Sequence, residues 1–124
     1  MSVLLTGGSR GIGAAIRSYF ESKGIEVIAP GRDSLDLSCE FSTKNYLETT
    51  DFKSIEVVIN NAGINELNAI ENVSEEELLY TLRVNLLSAI QITKKILPIL
   101  KQRNGGRIVN IGSIWTSRSM PKRV

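Results

Sequence analysis

Thr6-Gly7-Gly8-Ser9-Arg10-Gly11-Ile12-Gly13 decides how the rest of this chain is read. The short apolar run Val3-Leu4-Leu5 precedes it, and Ala14 to Phe20 follows with apolar residues at helical spacing. A strand that turns through glycines straight into a helix makes a phosphate site. The helix N-terminus offers unpaired N–H groups and the positive end of its dipole, and glycines let the phosphate reach the backbone. Gly7 is expected to make the tight exit from the strand and Gly11 to remove a Cβ where a pyrophosphate would lie. Gly13 is expected to let the helix pack close to the sheet. The spacing T-G-x-x-x-G-x-G departs from G-x-G-x-x-G, because Ile16 fills the third glycine slot, and no Gly-Lys-Ser/Thr follows to make a Walker A loop.

The chain has 124 residues, 42% apolar and 23% charged, as expected of one globular domain spanning 1–124. Its 15 basic and 13 acidic residues are mixed along the chain, and a net charge of +2 points to neither nucleic acid nor membrane. Lys122-Arg123 is too short for a basic patch. Cys39 is the only cysteine, which excludes an internal disulfide and fits a reducing compartment. Without histidine, and without clustered acids, no metal site is expected. The N-terminal apolar run is too short for a signal peptide and no stretch approaches membrane-spanning length, so a cytoplasmic protein is expected.

Lys23-Gly24 reads as a helix stop, and Glu26-Val27-Ile28-Ala29 as a second strand ended by Pro30-Gly31. In a dinucleotide-binding fold an acid at this strand end would bond the ribose 2′-hydroxyl, whereas an arginine accommodates a 2′-phosphate. Gly31-Arg32 stands here, and Arg10 supplies a second cation from the glycine loop. Two guanidinium forks converging on a dianion favour NADP(H) over NAD(H). The plainer alternative makes both arginines solvated, with Asp33 pairing Arg32.

Only four residues separate Arg32 from Asp36, too few for the helix that a parallel crossover requires. A third strand around Ser34-Leu35-Asp36-Leu37-Ser38 is therefore vestigial or unusually connected. Phe41 to Phe52 reads as one short helix with Tyr46, Leu47 and Phe52 toward the core. Ile55 to Ile59 is a buried strand leading into Asn60-Asn61-Ala62-Gly63. Ser74-Glu75-Glu76-Glu77 has the form of a capping box. It opens a long helix to about Arg103, with Leu78, Leu82, Leu86, Ala89, Ile90, Thr93, Ile96, Leu97 and Leu100 on one face and Pro98 expected to bend it. Arg107 to Ser113 is the last strand, followed by Ile114, Trp115 and Thr116 in the loop beyond it; Trp115 walls a pocket or covers the core edge.

Taken together, T-G-x-x-x-G-x-G, N-N-A-G, Val84-Asn85-Leu86 and the G-R-I-V-N-I-G-S string ending at Ser113 resemble the short-chain dehydrogenase/reductase family. The resemblance implies an α/β fold, a Rossmann-type doubly wound parallel sheet, incomplete at its C-terminal side. It implies NADP(H) contacts from Gly7, Ser9, Arg10, Gly11, Ile12, Gly13 and Arg32. Asp36 would accept from the adenine amino group and Leu37 would pack on the ring. Asn61, Ala62 and Gly63 would lie against the cofactor. Asn85 would hold a water of the proton relay, and Ser113 would bind the substrate's carbonyl or hydroxyl oxygen. The activity implied is interconversion of a carbonyl and an alcohol by hydride transfer.

The family's chemistry rests on Tyr-x-x-x-Lys, and no tyrosine follows Ser113; Lys122 stands alone there. A missing general acid costs about 10²–10⁴ in rate. The chain is accordingly expected to be the N-terminal portion of such an oxidoreductase, stopping short of the tyrosine helix and inactive alone. The other account is a non-catalytic nucleotide-binding or interaction module. The expected partners are a small carbonyl or alcohol substrate and a second copy through the helix Ser74–Arg103.

Overall fold

A computed structural model describes residues 1–114, 117 and 118. Four parallel strands form one sheet in the order β2-β1-β3-β4: β1 Ser2–Leu5, β2 Glu26–Ile28, β3 Ile55–Asn60 and β4 Arg107–Asn110. Helices α1 (Gly11–Ser22), α2 (Glu40–Thr49), α3 (Glu75–Leu82) and α4 (Ser88–Gln102) connect them. Successive side chains of a strand point to opposite faces, and β1 is buried along its whole length. Val3 and Leu5 join Ile59 on one face, against Ile16 and Phe20 of α1. Leu4 joins Val58 on the other, against Leu47, Phe52, Ile92, Ile96 and Leu100. Helices flank both faces of the sheet, the doubly wound arrangement expected, with β4 left largely exposed at the edge.

The chain leaves β1 toward β2 and returns to the opposite side of β1 for β3. That reversal opens a crevice at the carboxyl ends of β1 and β3. Thr6 to Arg10 and Asn61 to Ile64 both begin there.

Several boundaries differ from the sequence reading. No strand forms at Leu35 to Leu37; the segment is a turn-rich loop, because β2 is three residues long and no crossover helix separates the two. The helix expected over 41–52 is α2 at Glu40–Thr49, with Phe52 buried in the loop that follows. β4 stops at Asn110 rather than Ser113, since Asn60 ends the partner strand and Ile111 N–H makes the last bond, to the Asn60 carbonyl at 2.9 Å. Trp115, Thr116 and Lys122 lie outside the described residues.

The long helix is interrupted, and not at Pro98, which lies within α4. Arg83–Leu87 is π-helical: Ser88 N–H reaches back to the Arg83 carbonyl, and the Ser88 hydroxyl donates to the Val84 carbonyl at 2.7 Å. The buried ladder is Val84, Ser88, Ile92, Ile96 and Leu100, each four residues on. Leu78, Leu82, Leu86, Ile90 and Leu97, placed on the core face by their spacing, are exposed. The helix carries two apolar stripes, and the sheet takes only one. The capping box is present as expected: Ser74 Oγ accepts from Glu77 N–H, and the Glu77 carboxylate accepts from Ser74 N–H at 2.7 Å.

Candidate functional site

The crevice holds a cleft of about 490 Å³, lined by Gly7 to Gly13, Pro30 to Arg32, Leu35 to Ser38, Asn61 to Ile64, Tyr80 and Val84. That volume is in the range of small-molecule sites. Every residue expected to bind cofactor therefore lines one concavity.

Its floor is a hydrogen-bond knot. Thr6, 3% exposed, accepts at Oγ1 from Asn61 N–H (3.1 Å) and Ala62 N–H (3.0 Å). Asn61 Nδ2 donates in return to the Thr6 and Gly7 carbonyls at 3.0 and 3.1 Å. The glycine loop and the N-N-A-G turn are thus one unit, joined by a threonine whose role the spacing alone does not reveal. Gly7 has φ +67°, and a Cβ there would lie 2.9 Å from Ala62 Cα. Gly13, by its spacing, should ease helix against sheet. A Cβ there would instead strike the Gly7 carbonyl oxygen and sit 2.6 Å from Asn61 Nδ2, so its contact is with the loop and the N-N-A-G turn. Gly11 has φ +55°, and a Cβ added to it would meet nothing within 4 Å, so the space beside it is open. Open room at Gly11 and the adjoining N-terminus of α1 make a cradle that fits a dinucleotide pyrophosphate.

Arg10 makes no ion pair among the described residues, and its backbone is extended at the start of α1. Arg32 is different. Its partner is Asp36, not Asp33: Nε lies 3.5 Å from Asp36 Oδ2, while Nη2 donates to the Tyr80 hydroxyl at 3.4 Å. Asp36 is itself pinned, with Oδ1 accepting from Ser38 N–H (2.9 Å) and Ser38 Oγ–H (2.6 Å), and its N–H donating to Ser42 Oγ. The Ser38 bonds, followed by the charge of Arg32, hold the Asp36 carboxyl below its ordinary value. A carboxyl with a depressed folded pKa contributes stability above its unfolded pKa of about 3.9 and loses it as pH falls through the folded value. The loop 31–38 is therefore expected to loosen only in acid below about pH 4. Carbon-detected NMR titration checks this: the Asp36 midpoint should lie below about 3.9 and rise in Ser38→Ala. A wild-type midpoint at or above that value would refute it.

Leu37 lines the cleft but also packs against the core cluster of Leu4, Leu47 and Phe52. Asn85 does not line the cleft. It sits in the π-helical stretch behind Ile64, with Oδ1 accepting from Ile64 N–H and Nδ2 donating to the Ile64 carbonyl, both at 2.8 Å. Its amide is thus committed to holding the loop after β3. Ser113 lies three residues beyond β4, exposed, and is not among the cleft's lining residues.

Sequence reasoning missed Tyr80, Val84 and Gly8. Tyr80 and Val84 are four apart and share a helix face, a signal available in the sequence. Gly8 is required because its Cβ would come 2.8 Å from Ala29 Cβ. The Tyr-x-x-x-Lys spacing, absent after Ser113, does occur at Tyr19 and Lys23. These lie at the end of α1 remote from the glycine loop, with the Lys23 ammonium 5.7 Å from the Tyr19 ring centre. Both residues are exposed, and neither lines the crevice.

Comparison with known proteins gives the same picture. Residues 34–124 match the family model described as short chain dehydrogenase. The glycine loop precedes the matched span. The chain is 32% identical over 138 residues to a 3-oxoacyl-[acyl-carrier-protein] reductase of Haemophilus influenzae, covering 95% of this chain and 57% of that one. The chain thus spans about half the length of the curated relatives it matches. Among solved structures, 4-hydroxyisoleucine dehydrogenase complexed with NADH superposes with a TM-score of 0.88 at 26% identity, over 98% of this chain and 59% of that one. The closed form of serine dehydrogenase complexed with NADP+ gives 0.83 at 26% identity, over 98% and 58%.

Proposed function

Because the chain belongs to the short-chain dehydrogenase family, we propose that residues 1–124 form one dinucleotide-binding domain for NADP(H), serving the interconversion of a carbonyl and an alcohol. The carrying observation is the cleft in which the glycine loop, the N-N-A-G turn and two arginines meet. The pyrophosphate would rest on Gly7 to Gly13 at the N-terminus of α1, with Arg10 and Arg32 toward the 2′-phosphate. The cofactor, when bound, supplies the hydride. Asp36 and Leu37 would border the adenine, and Asn61, Ala62 and Gly63 the remainder of the cofactor. Asn85 would position the backbone at Ile64, and Ser113 would orient the substrate oxygen.

No tyrosine follows Ser113 in the 124 residues, so this reading has them bind cofactor without turning over a carbonyl. Structures of similar chains hold either NADH or NADP+; the two cations are what favour NADP(H) here. The exposed stripe of Leu78, Leu82, Leu86, Ile90 and Leu97 supports association of copies along α3 and α4. No helix among the described residues is long and apolar enough to cross a membrane. The exposed free thiol of Cys39 suits the cytoplasmic location that belongs to this reading.

Calorimetric titration of the chain tests the proposal. NADPH is expected to bind about 10-fold or more tighter than NADH, the scale of one charge-assisted hydrogen bond, with no NADPH oxidation on carbonyl substrates. Tighter binding of NADH would reject the roles of Arg10 and Arg32.

A further inference from the structure

Arg32 and Tyr80 both line the cleft, and Arg32 reaches from the loop after β2 to Tyr80 on α3, 48 residues later in the chain. The bridge joins two walls that the sheet alone does not connect. Three features give it chemical meaning. The guanidinium has a seated partner, because Asp36, held by Ser38 and Ser42, lies 3.5 Å from Arg32 Nε. A guanidinium has five N–H groups; with one turned to Asp36 and one to Tyr80, three remain for another acceptor. Tyr80, finally, receives a hydrogen bond from Arg32, so its own O–H proton is left to donate. Guanidinium donors beside a hydroxyl donor suit a tetrahedral dianion better than a neutral ribose hydroxyl. The Tyr80 bond and the Asp36 charge also hold Arg32 more firmly protonated.

We propose that Tyr80 is a specificity-determining residue of the cleft: its hydroxyl fixes Arg32 and, with its remaining proton, completes a cup for the 2′-phosphate of the dinucleotide. The inference rests on the NADP(H) reading above and assigns to α3 a part in cofactor choice. Tyr80 acts in part through Arg32, whose guanidinium it holds. Asp36 then has a positioning role, setting the guanidinium where the phenol can meet it.

The test is calorimetric titration of the full chain and its Tyr80→Phe, Arg32→Ala and double variants. The probes are NADPH, NADH and adenosine 2′,5′-bisphosphate, which carries the 2′-phosphate without the nicotinamide. Tyr80→Phe is expected to weaken NADPH and the bisphosphate about 5–10-fold, the scale of one lost hydrogen bond, with NADH changed less than twofold. In the Arg32→Ala background, Tyr80→Phe should lower the NADPH-to-NADH ratio by less than it does in the wild type, because only the phenol's own bond to the phosphate is then left to lose. An unchanged ratio in Tyr80→Phe, or equal weakening of both dinucleotides, overturns the role of Tyr80. Additive losses in the double variant do the same, and so does tighter NADPH binding by Tyr80→Phe, which would mean that the phenol blocks the phosphate. Failure of the underlying reading is visible separately, as a wild-type chain that does not prefer NADPH.

Discussion

Gly13→Ala is expected to disrupt the glycine loop and lower the melting temperature of the chain by on the order of 10 °C, as follows from the packing cost and chain size. The added Cβ would meet the Gly7 carbonyl oxygen and Asn61 Nδ2, the latter 2.6 Å away. Neither neighbour is the free end of a flexible side chain. Gly7 is backbone at φ +67°, and the Asn61 amide is committed to the Thr6 and Gly7 carbonyls. Overpacking of this kind costs about 1–3 kcal/mol and occasionally more, and with two fixed obstacles the upper end applies. About 3 kcal/mol in a chain of this size corresponds to the melting shift given. Circular dichroism melts check the stability, and NADPH titration checks the loop, where affinity should fall below detection. Gly11→Ala is the control. Its Cβ has open space, so only the strain of a left-handed backbone remains, about 1–2 kcal/mol. Wild-type melting in Gly13→Ala would show that the helix moves away freely, against the knot described here.

Thr6→Val removes the hydroxyl that binds loop to turn. The isosteric methyl leaves Asn61 N–H and Ala62 N–H without their acceptor beneath a nearly fully buried side chain. A stranded buried donor costs about 1–3 kcal/mol; both amides here are part-buried, so the pair together should cost about 1–3 kcal/mol. Thr6→Ser keeps the acceptor and should recover most of that loss. The pairing of variants separates the hydrogen bonds from packing, because valine matches threonine in shape and serine matches it in chemistry. Equal melting temperatures for Thr6→Val and Thr6→Ser would place the role of Thr6 in packing alone. Amide exchange at Asn61 and Ala62 should quicken in the valine variant and stay slow in the serine variant.

Much of this site is legible in the sequence because its requirements are local. The three glycines needed at 7, 11 and 13 follow from a strand turning into a helix, and the capping box of Ser74 and Glu77 is complete within four residues. The helix stop at Gly24, with φ +71°, is equally local. What resists reading is a choice between equivalent local options. Arg32 has acids at 33 and 36 within reach, and Ser38, by fixing the Asp36 carboxylate, gives the pairing to that residue. Asn85 reads from its motif as the holder of a water, and what the motif leaves out is that its amide also bonds the Ile64 N–H and the Ile64 carbonyl. The stretch from Ser74 to Arg103 reads as one helix with one apolar face, and the π-helical turn at Arg83–Leu87 lies within it.

The sequence by itself determined the first two strands and the helix between them, the place of the glycine loop and the N-N-A-G turn that faces it. Those depend on glycine conformations, caps and alternation, which a residue and its near neighbours settle. Only the tertiary structure decided which stripe of α4 is buried, that Thr6 ties the glycine loop to the N-N-A-G turn, and that Tyr80 meets Arg32 across the cleft. The physical reason is the same each time. Two apolar stripes have nearly equal burial to offer, one threonine hydroxyl has many N–H groups available, and a guanidinium has several acceptors nearby. The parallel sheet fixes the distances among them, and those distances select one partner from each set.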